Sequence, residues 1–173
     1  VAGANARSDG ELVEGAAAMI SGADVLMLQG EVGVEAAVAA AHIARTAGAV
    51  VVLNPAPFNE VGPAVAPLAD VVIVNRQEAA ELGVVLCPIV VTTLGAAGCS
   101  VSIDGAQAIE IASPAVSAVD PTGAGDAFAA AFAVRYAETG DPLEAARFAV
   151  RAGALAVTTA GAQPSLPTRE AVE

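Results

Sequence analysis

The chain has no lysine and no tryptophan, one histidine, one tyrosine and two cysteines. Each shortage excludes a class of chemistry. Without lysine there is no P-loop NTPase, which needs that side chain on the phosphates, and no Schiff-base enzyme. Seven arginines face 19 acidic residues, for a net charge of −12. Such a chain cannot neutralise a run of phosphates, so nucleic acid is not an expected partner. The basic cluster that holds an anionic membrane is also missing. Cys87 and Cys99 lack C-x-x-C spacing, and His42 alone cannot complete a zinc site with them. They read as small buried hydrophobes in a reducing compartment. No apolar run reaches ~18 residues, no basic-then-apolar signal pattern opens the chain and no N-x-S/T sequon occurs. The expectation is a cytoplasmic protein without a membrane span.

What is present is a core-rich globular composition. Of 173 residues, 55 % are hydrophobic and 15 % charged, and about a quarter are alanine, which favours helix. Four short apolar runs, Asp24–Gln29, Ala49–Leu53, Asp70–Val74 and Pro88–Thr93, lack polar alternation, as strands buried on both faces do. Helical segments lie between them: Val34–Ala47, closed by Gly48, and the shorter Arg76–Leu82. The rhythm then changes. Cys99–Ile103, a turn at Asp104-Gly105 and Ala106–Ile111 predict a β-hairpin. Two helices follow, Ala124–Glu138 and Leu143–Thr158, the second with Asp141 as N-cap and Pro142 at its first position. The pattern predicts one α/β domain over residues 1–173, a doubly wound, mostly parallel sheet flanked by helices. The Pro-rich stretch Asn54–Ala66 follows a strand, where ligands of such sheets bind.

The segment richest in chemistry is Asp120-Pro121-Thr122-Gly123-Ala124-Gly125-Asp126. Gly123, Ala124 and Gly125 let a ligand approach the backbone, and their N–H groups are the unpaired donors of a helix start, suited to an anion. Asp126, in the first turn, is placed to take a proton from a hydroxyl attacking a phosphate. A plain helix start with an acidic first turn has the same residues. A dinucleotide fingerprint fails, because its third glycine would fall on Phe128.

This segment is similar to the C-terminal signature of the PfkB, or ribokinase-like, carbohydrate kinases. Asn54-Pro55-Ala56-Pro57, Asn75-Arg76-Gln77-Glu78, Thr93-Leu94-Gly95-Ala96-Ala97-Gly98 and Gly161-Ala162-Gln163-Pro164-Ser165 resemble further family segments, in the family's order. Val1-Ala2-Gly3-Ala4-Asn5 and Gln29-Gly30-Glu31 resemble its ribokinase branch. The resemblance implies ATP-dependent phosphorylation of a sugar's primary hydroxyl, with D-ribose the expected sugar. It makes Asp126 the base and Gly123, Ala124 and Gly125 the anion hole. It gives the nucleotide to Asn75, Thr93, Leu94, Gly95, Ala96, Ala97, Gly98, Gly125 and Val150, with Gly153 beside Val150. It puts Glu31 beside the sugar and Glu78 on Mg²⁺ through water. K⁺ would sit at Asp120, Thr122, Ala156, Thr159, Gly161 and Ser165, mostly through backbone carbonyls. Fructokinase and adenosine kinase activities are alternatives within the family. A truncated, non-catalytic nucleotide-binding module is the alternative outside catalysis.

Two departures accompany the resemblance. Family members are nearly twice as long, and their N-terminal half carries the first strands, a Gly-Gly sugar-binding segment and a lid. This chain has no Gly-Gly dipeptide. Between Leu82 and Val90 it also lacks the residues for a further family helix. Exposed apolar surface at one sheet face or edge is therefore expected, with self-association through it, weak or absent turnover without a lid, and no lid-mediated dimer.

Overall fold

The computed structural model describes residues 3–84 and 86–173. Val1 and Ala2 of the first family-like segment, and Val85 of the shortened connection, lie outside the described residues. The strands are β1 (Val25–Gln29), β2 (Val50–Asn54), β3 (Val71–Asn75), β4 (Ile89–Thr93), β5 (Cys99–Ile103) and β6 (Ile109–Ile111). They form a sheet in the order β1-β2-β3-β4-β5-β6. The helices are α1 (Gly10–Gly15), α2 (Ala17–Ser21), α3 (Val34–Ala47), α4 (Val61–Val65), α5 (Arg76–Leu82), α6 (Ala124–Thr139), α7 (Pro142–Ala156) and α8 (Arg169–Val172). Two compact units result: one runs to Thr92 and takes in Ile103–Ala106, and the other comprises Thr93–Ser102 and Gln107–Glu173.

In the first unit the apolar runs become parallel strands. Val25 pairs with Val50 and Gln29 with Asn54; Val52 pairs with Val71 and Leu53 with Val72. Val51, Val52, Leu53, Val71 and Val72 are fully buried, as strands covered on both faces require. Helix α3 lays Ala36, Ala37, Ala40, Ala41 and Ala44 on the core, a stripe of helical period whose small side chains permit close approach to the strands. It ends as predicted, at Gly48 in the left-handed conformation. Strand β1 is the end of the sheet, and only Leu28 of its residues is buried. Leu12 on α1 and Met19 on α2 are exposed, as are Val84 and Leu86 beside the shortened connection. Cys87 and Cys99 are buried free thiols. Cys87 donates to the carbonyls of Ala69 and Ile89, both at 3.3 Å. Loss of water on burial pushes both thiols up to about 11, so neither is a nucleophile at neutral pH.

The second unit holds the hairpin and the two long helices. Cys99 pairs with Ile111 and Val101 with Ile109. The turn falls at Asp104 and Gly105, both at positive φ. The hairpin differs from expectation in its second strand, which begins at Ile109 rather than Ala106: the Ala106 amide closes the turn onto Ile103 O at 2.9 Å and so leaves the ladder. Helix α6 runs one residue further than predicted, and α7 stops at Ala156 rather than Thr158. There the Thr158 amide and hydroxyl both turn back to Leu155 O. Asp141 caps α7 by accepting from Leu143 and Glu144, with Pro142 at the first position as expected. Phe132 is fully buried in α6 and stacks on Tyr136, with ring centroids 5.9 Å apart. Phe132→Ala should cost about 3–5 kcal/mol of stability, read as a lower denaturant midpoint; a loss below about 1 kcal/mol would contradict this packing.

Candidate active site

In the second unit the candidate site is organised by one carboxylate. Asp120 Oδ1 accepts from the Thr122 amide at 3.0 Å and the Thr122 hydroxyl at 2.6 Å. Its Oδ2 accepts from the Gly161 amide at 2.8 Å. The amides of Val119 and Asp120 both donate to Val157 O, at 2.7 and 3.1 Å. The segment before α6 is thereby tied to the loop after α7. Two sequence-predicted groups, Asp120–Asp126 and Gly161–Ser165, meet here. The Thr122 hydroxyl and the Gly161 and Thr122 amides hold the Asp120 carboxyl down at about 2, against an ordinary 3.8, so it is charged at every physiological pH.

Gly123 follows with φ of 80°, in the left-handed region. A Cβ there would lie 3.2 Å from both Cα and Cβ of Ala162. The tie at Asp120 thus presses Gly123 against the loop, and the position needs glycine both for its conformation and for its space. Helix α6 begins at once, with the Ala127 amide on Gly123 O at 2.9 Å. The expectation of three unpaired amides is corrected at one position: the Ala124 N–H donates to Pro121 O at 3.2 Å, closing the turn that precedes the helix. Among the described residues Gly123 and Gly125 make no such backbone bond, and open space lies beside Gly125. Asp126 is exposed in the first turn of α6.

The nucleotide-loop candidates Thr93–Gly98 form a tight turn. The Leu94 amide donates to Gly98 O at 2.8 Å and the Gly98 amide to Gly95 O at 2.9 Å. Gly95, Ala96 and Ala97 are exposed at its tip. Gly98 has φ of 102°, and a Cβ there would run into the Ile111 carbonyl and lie 2.7 Å from Ser113 N. The loop is therefore seated on the chain leaving β6. Val150 is 4 % exposed in α7, so its side chain is mostly core. Gly153 sits under α6, where a Cβ would lie 3.4 Å from Ala124 O and 3.6 Å from the Phe128 Cβ. Of the remaining K⁺ candidates, Ala156 ends α7, Thr159 is exposed, and Ser165 is buried with its hydroxyl on Ala162 O at 2.8 Å.

In the first unit the sequence-predicted residues form two groups. Asn5 Nδ2 donates to Glu31 Oε2 at 3.0 Å, the Gly30 amide donates to Ala56 O at 3.1 Å, and Asn59 Nδ2 donates to Gly30 O. Three family-like segments are thus joined around Gly30 and Glu31. At the end of β3, Asn75 caps α5: its Oδ1 accepts from the Gln77 and Glu78 amides, both at 2.9 Å, and Glu78 Oε2 accepts from the Asn75 amide at 2.8 Å. This reciprocal pair is a capping box, with one Glu78 oxygen occupied by the backbone. Sequence reading missed Asn59 and Ala162. Asn59 had a signal, an Asx turn onto the Val61 amide at 2.9 Å before α4; an alanine seat for a glycine has none.

A model of the pfkB family carbohydrate kinases matches residues 2–169. The chain belongs to the PfkB family. The ribokinase of Haemophilus influenzae is 36 % identical over 186 residues, covering 97 % of this chain and 60 % of that protein. The ribokinase of Mus musculus is 33 % identical over 193 residues, covering 98 % of this chain and 59 % of that protein. The crystal structure of ribokinase from Thermotoga maritima superposes with a TM-score of 0.86 at 30 % identity, covering 99 % of this chain and 62 % of that one. The structure of Arabidopsis thaliana ribokinase complexed with ribose and ATP gives 0.84 at 28 % identity, covering 99 % and 62 %. This PfkB chain thus spans about six-tenths of the length of the curated relatives it matches. Both alignments are longer than its 173 residues, so these relatives carry residues inside the matched region that it lacks.

The depressed Asp120 carboxyl gives a test. The unfolded chain takes up the proton first, near the ordinary 3.8, and the folded chain only near 2. The stability this group contributes is present above about pH 4 and is lost as pH falls toward 2. Native protein should therefore exceed Asp120→Asn in denaturant midpoint at pH 6, with the gap closing below pH 4. A gap that stays constant with pH would contradict the tie.

Proposed function

We propose that this chain carries the phosphoryl-transfer half of a PfkB sugar kinase, with D-ribose the sugar and ribose 5-phosphate the product. The observation that carries the reading is the start of α6: a left-handed Gly123 seated on Ala162, open backbone at Gly125 and a carboxylate at Asp126 in the first turn. Ribokinase relatives above 30 % identity favour ribose among the family's sugars.

In this reading the Asp126 carboxylate accepts the proton of the sugar's primary hydroxyl as its oxygen attacks the γ-phosphorus of ATP. The bond from that phosphorus to the bridging oxygen breaks, and ADP leaves. The amides of Gly123 and Gly125 donate to the charge that develops on the transferring group, aided by the helix dipole. Glu31 orients the sugar, itself held by Asn5. Thr93–Gly98 and Val150 take the nucleoside, and Asn75 orders the phosphates.

The residues fit the ions the family uses. A carboxylate offers about four acceptor sites. Asp120 spends three of them on Thr122 and Gly161, which leaves one for a cation. An ionised carboxylate among loop carbonyls is a hard oxygen set, suited to K⁺. No three His, Cys, Asp or Glu gather into a metal cluster among the described residues. Mg²⁺ would thus be held by nucleotide phosphates and water, with Glu78 in support, and would supply charge neutralisation on the phosphates.

No helix among the described residues is long and apolar enough to cross a membrane. The acidic net charge and the buried cysteines support a cytoplasmic enzyme that binds small molecules, and the exposed Leu12 and Met19 support self-association.

The test is ribose-dependent ADP release with Mg²⁺, with and without K⁺, in native protein and Asp126→Asn. Native turnover should exceed that of the variant by about 10²–10⁴-fold, the range for loss of a general base. Equal rates in the two proteins would overturn the assignment of the base. Nucleotide binding without any ribose-dependent turnover would favour the non-catalytic module.

A further inference from the structure

The residue before Glu31 is held at both of its backbone groups by the stretch that follows β2. The Gly30 amide donates to Ala56 O at 3.1 Å. The Gly30 carbonyl accepts from Asn59 Nδ2. Gly30 is buried, and a Cβ there would run into the Pro57 carbonyl oxygen and lie 3.3 Å from the Ala56 carbonyl carbon. No side chain fits without a backbone shift, so the two segments meet backbone to backbone.

Asn59 is the fixed end of this clamp. Its Oδ1 accepts from the Val61 amide at 2.9 Å, and its own carbonyl accepts from the Gly62 amide at 3.1 Å. Val61 and Gly62 are buried at the start of α4, and Val61 packs in the core of the first unit. With its oxygen on Val61, the side chain has only its nitrogen left to meet Gly30, so both contacts agree on one orientation of the amide. The peptide group is planar, so holding the Gly30 oxygen also places the Cα of Glu31. At the far end of that side chain, Glu31 Oε2 accepts from Asn5 Nδ2 at 3.0 Å. Oε1 has no partner among the described residues. Glu31 is exposed, and an exposed glutamate ordinarily keeps its rotamer freedom. Here it is restrained from its backbone and from its tip.

We propose that Asn59 is a positioning residue for the sugar: by holding the Gly30 carbonyl it fixes the Cα of Glu31, and so the direction from which Glu31 Oε1 accepts a sugar hydroxyl. This rests on the kinase reading, which gives Glu31 to the sugar, and adds a residue that need not touch sugar or nucleotide. The benefit is preorganisation. A carboxylate on a loose loop loses backbone and side-chain freedom when it meets its ligand, whereas one held beforehand does not.

The test compares native protein with Asn59→Ser and Asn59→Asp. Both replacements keep an oxygen for the Val61 amide and remove the donor to Gly30. The turn before α4 is thereby retained, and circular dichroism and the denaturant midpoint should stay close to native. Two readouts follow the clamp. The Asn5 side-chain amide signals, seen by NMR, should shift in both variants as Glu31 moves. Ribose affinity by calorimetry should fall about two- to tenfold in Asn59→Ser, the worth of one hydrogen bond, and at least as far in Asn59→Asp, where a carboxylate faces the carbonyl. MgADP affinity should not change, which a general structural fault would not spare. The proposal is overturned if Asn59→Ser binds ribose as well as native protein does, if MgADP affinity falls in step with ribose, or if the Asn5 signals stay where they were. Native protein that binds MgADP but no ribose overturns the assignment of Glu31 to the sugar and this proposal with it. Native protein that binds ribose, with the variants equal to it, overturns this proposal alone.

Discussion

One carboxylate governs the geometry of the candidate site. Asp120 gathers the Thr122 hydroxyl and the amides of Thr122 and Gly161 into a single knot. The knot fixes where the chain turns before α6 and pulls the loop after α7 against it. Gly123 is favoured as glycine, because the backbone is left-handed and a Cβ would crowd Ala162. Helix α6 starts from that glycine, and the positions of the Gly125 amide and of Asp126 follow from the helix start. The chemistry assigned to Asp126 therefore depends on a residue six positions earlier that need not touch the sugar. The packing of α7 under α6 supports the same place, since Gly153 lets the Ala124 carbonyl come close.

The fold was legible wherever a segment carried one strong period. Val34–Ala47 and Arg76–Leu82 match α3 and α5 at both ends, because a stripe of alanines or a capping pair leaves little ambiguity. The apolar runs became the parallel strands for the same reason. Three kinds of feature were not legible. Helices α1 and α2 are one to two turns long, bury no residue and contain or border glycine, so hydrophobic period says nothing about them. Helix α4 carries Gly62 and Pro63, residues that argue against a helix, and tertiary burial of Val61 and Val65 overrides them. The second hairpin strand lost its first residues to a turn hydrogen bond that spacing cannot reveal.

The site was legible as a set of segments, not as a set of contacts. The order of the motifs along the chain points to the PfkB family, whose model matches residues 2–169. What spacing could not supply was the partner of each group. The Glu78 carboxylate accepts from the Asn75 amide, which fixes the start of α5 and leaves one oxygen for other work. The Ala124 amide closes a turn, so the proposed anion hole rests on Gly123 and Gly125. Val150 is mostly core, which residue spacing could not show.

The most direct measurement is the affinity for MgADP of native protein and Asp120→Ala, by calorimetry near neutral pH without added K⁺. If Asp120 sets the start of α6, the variant should bind MgADP about tenfold or more weakly although its side chain donates nothing to the phosphates, because the amides that meet them lose their fixed position. Equal affinity, in a variant whose circular dichroism matches the native protein, would contradict the dependence of the anion site on Asp120 and with it the central claim.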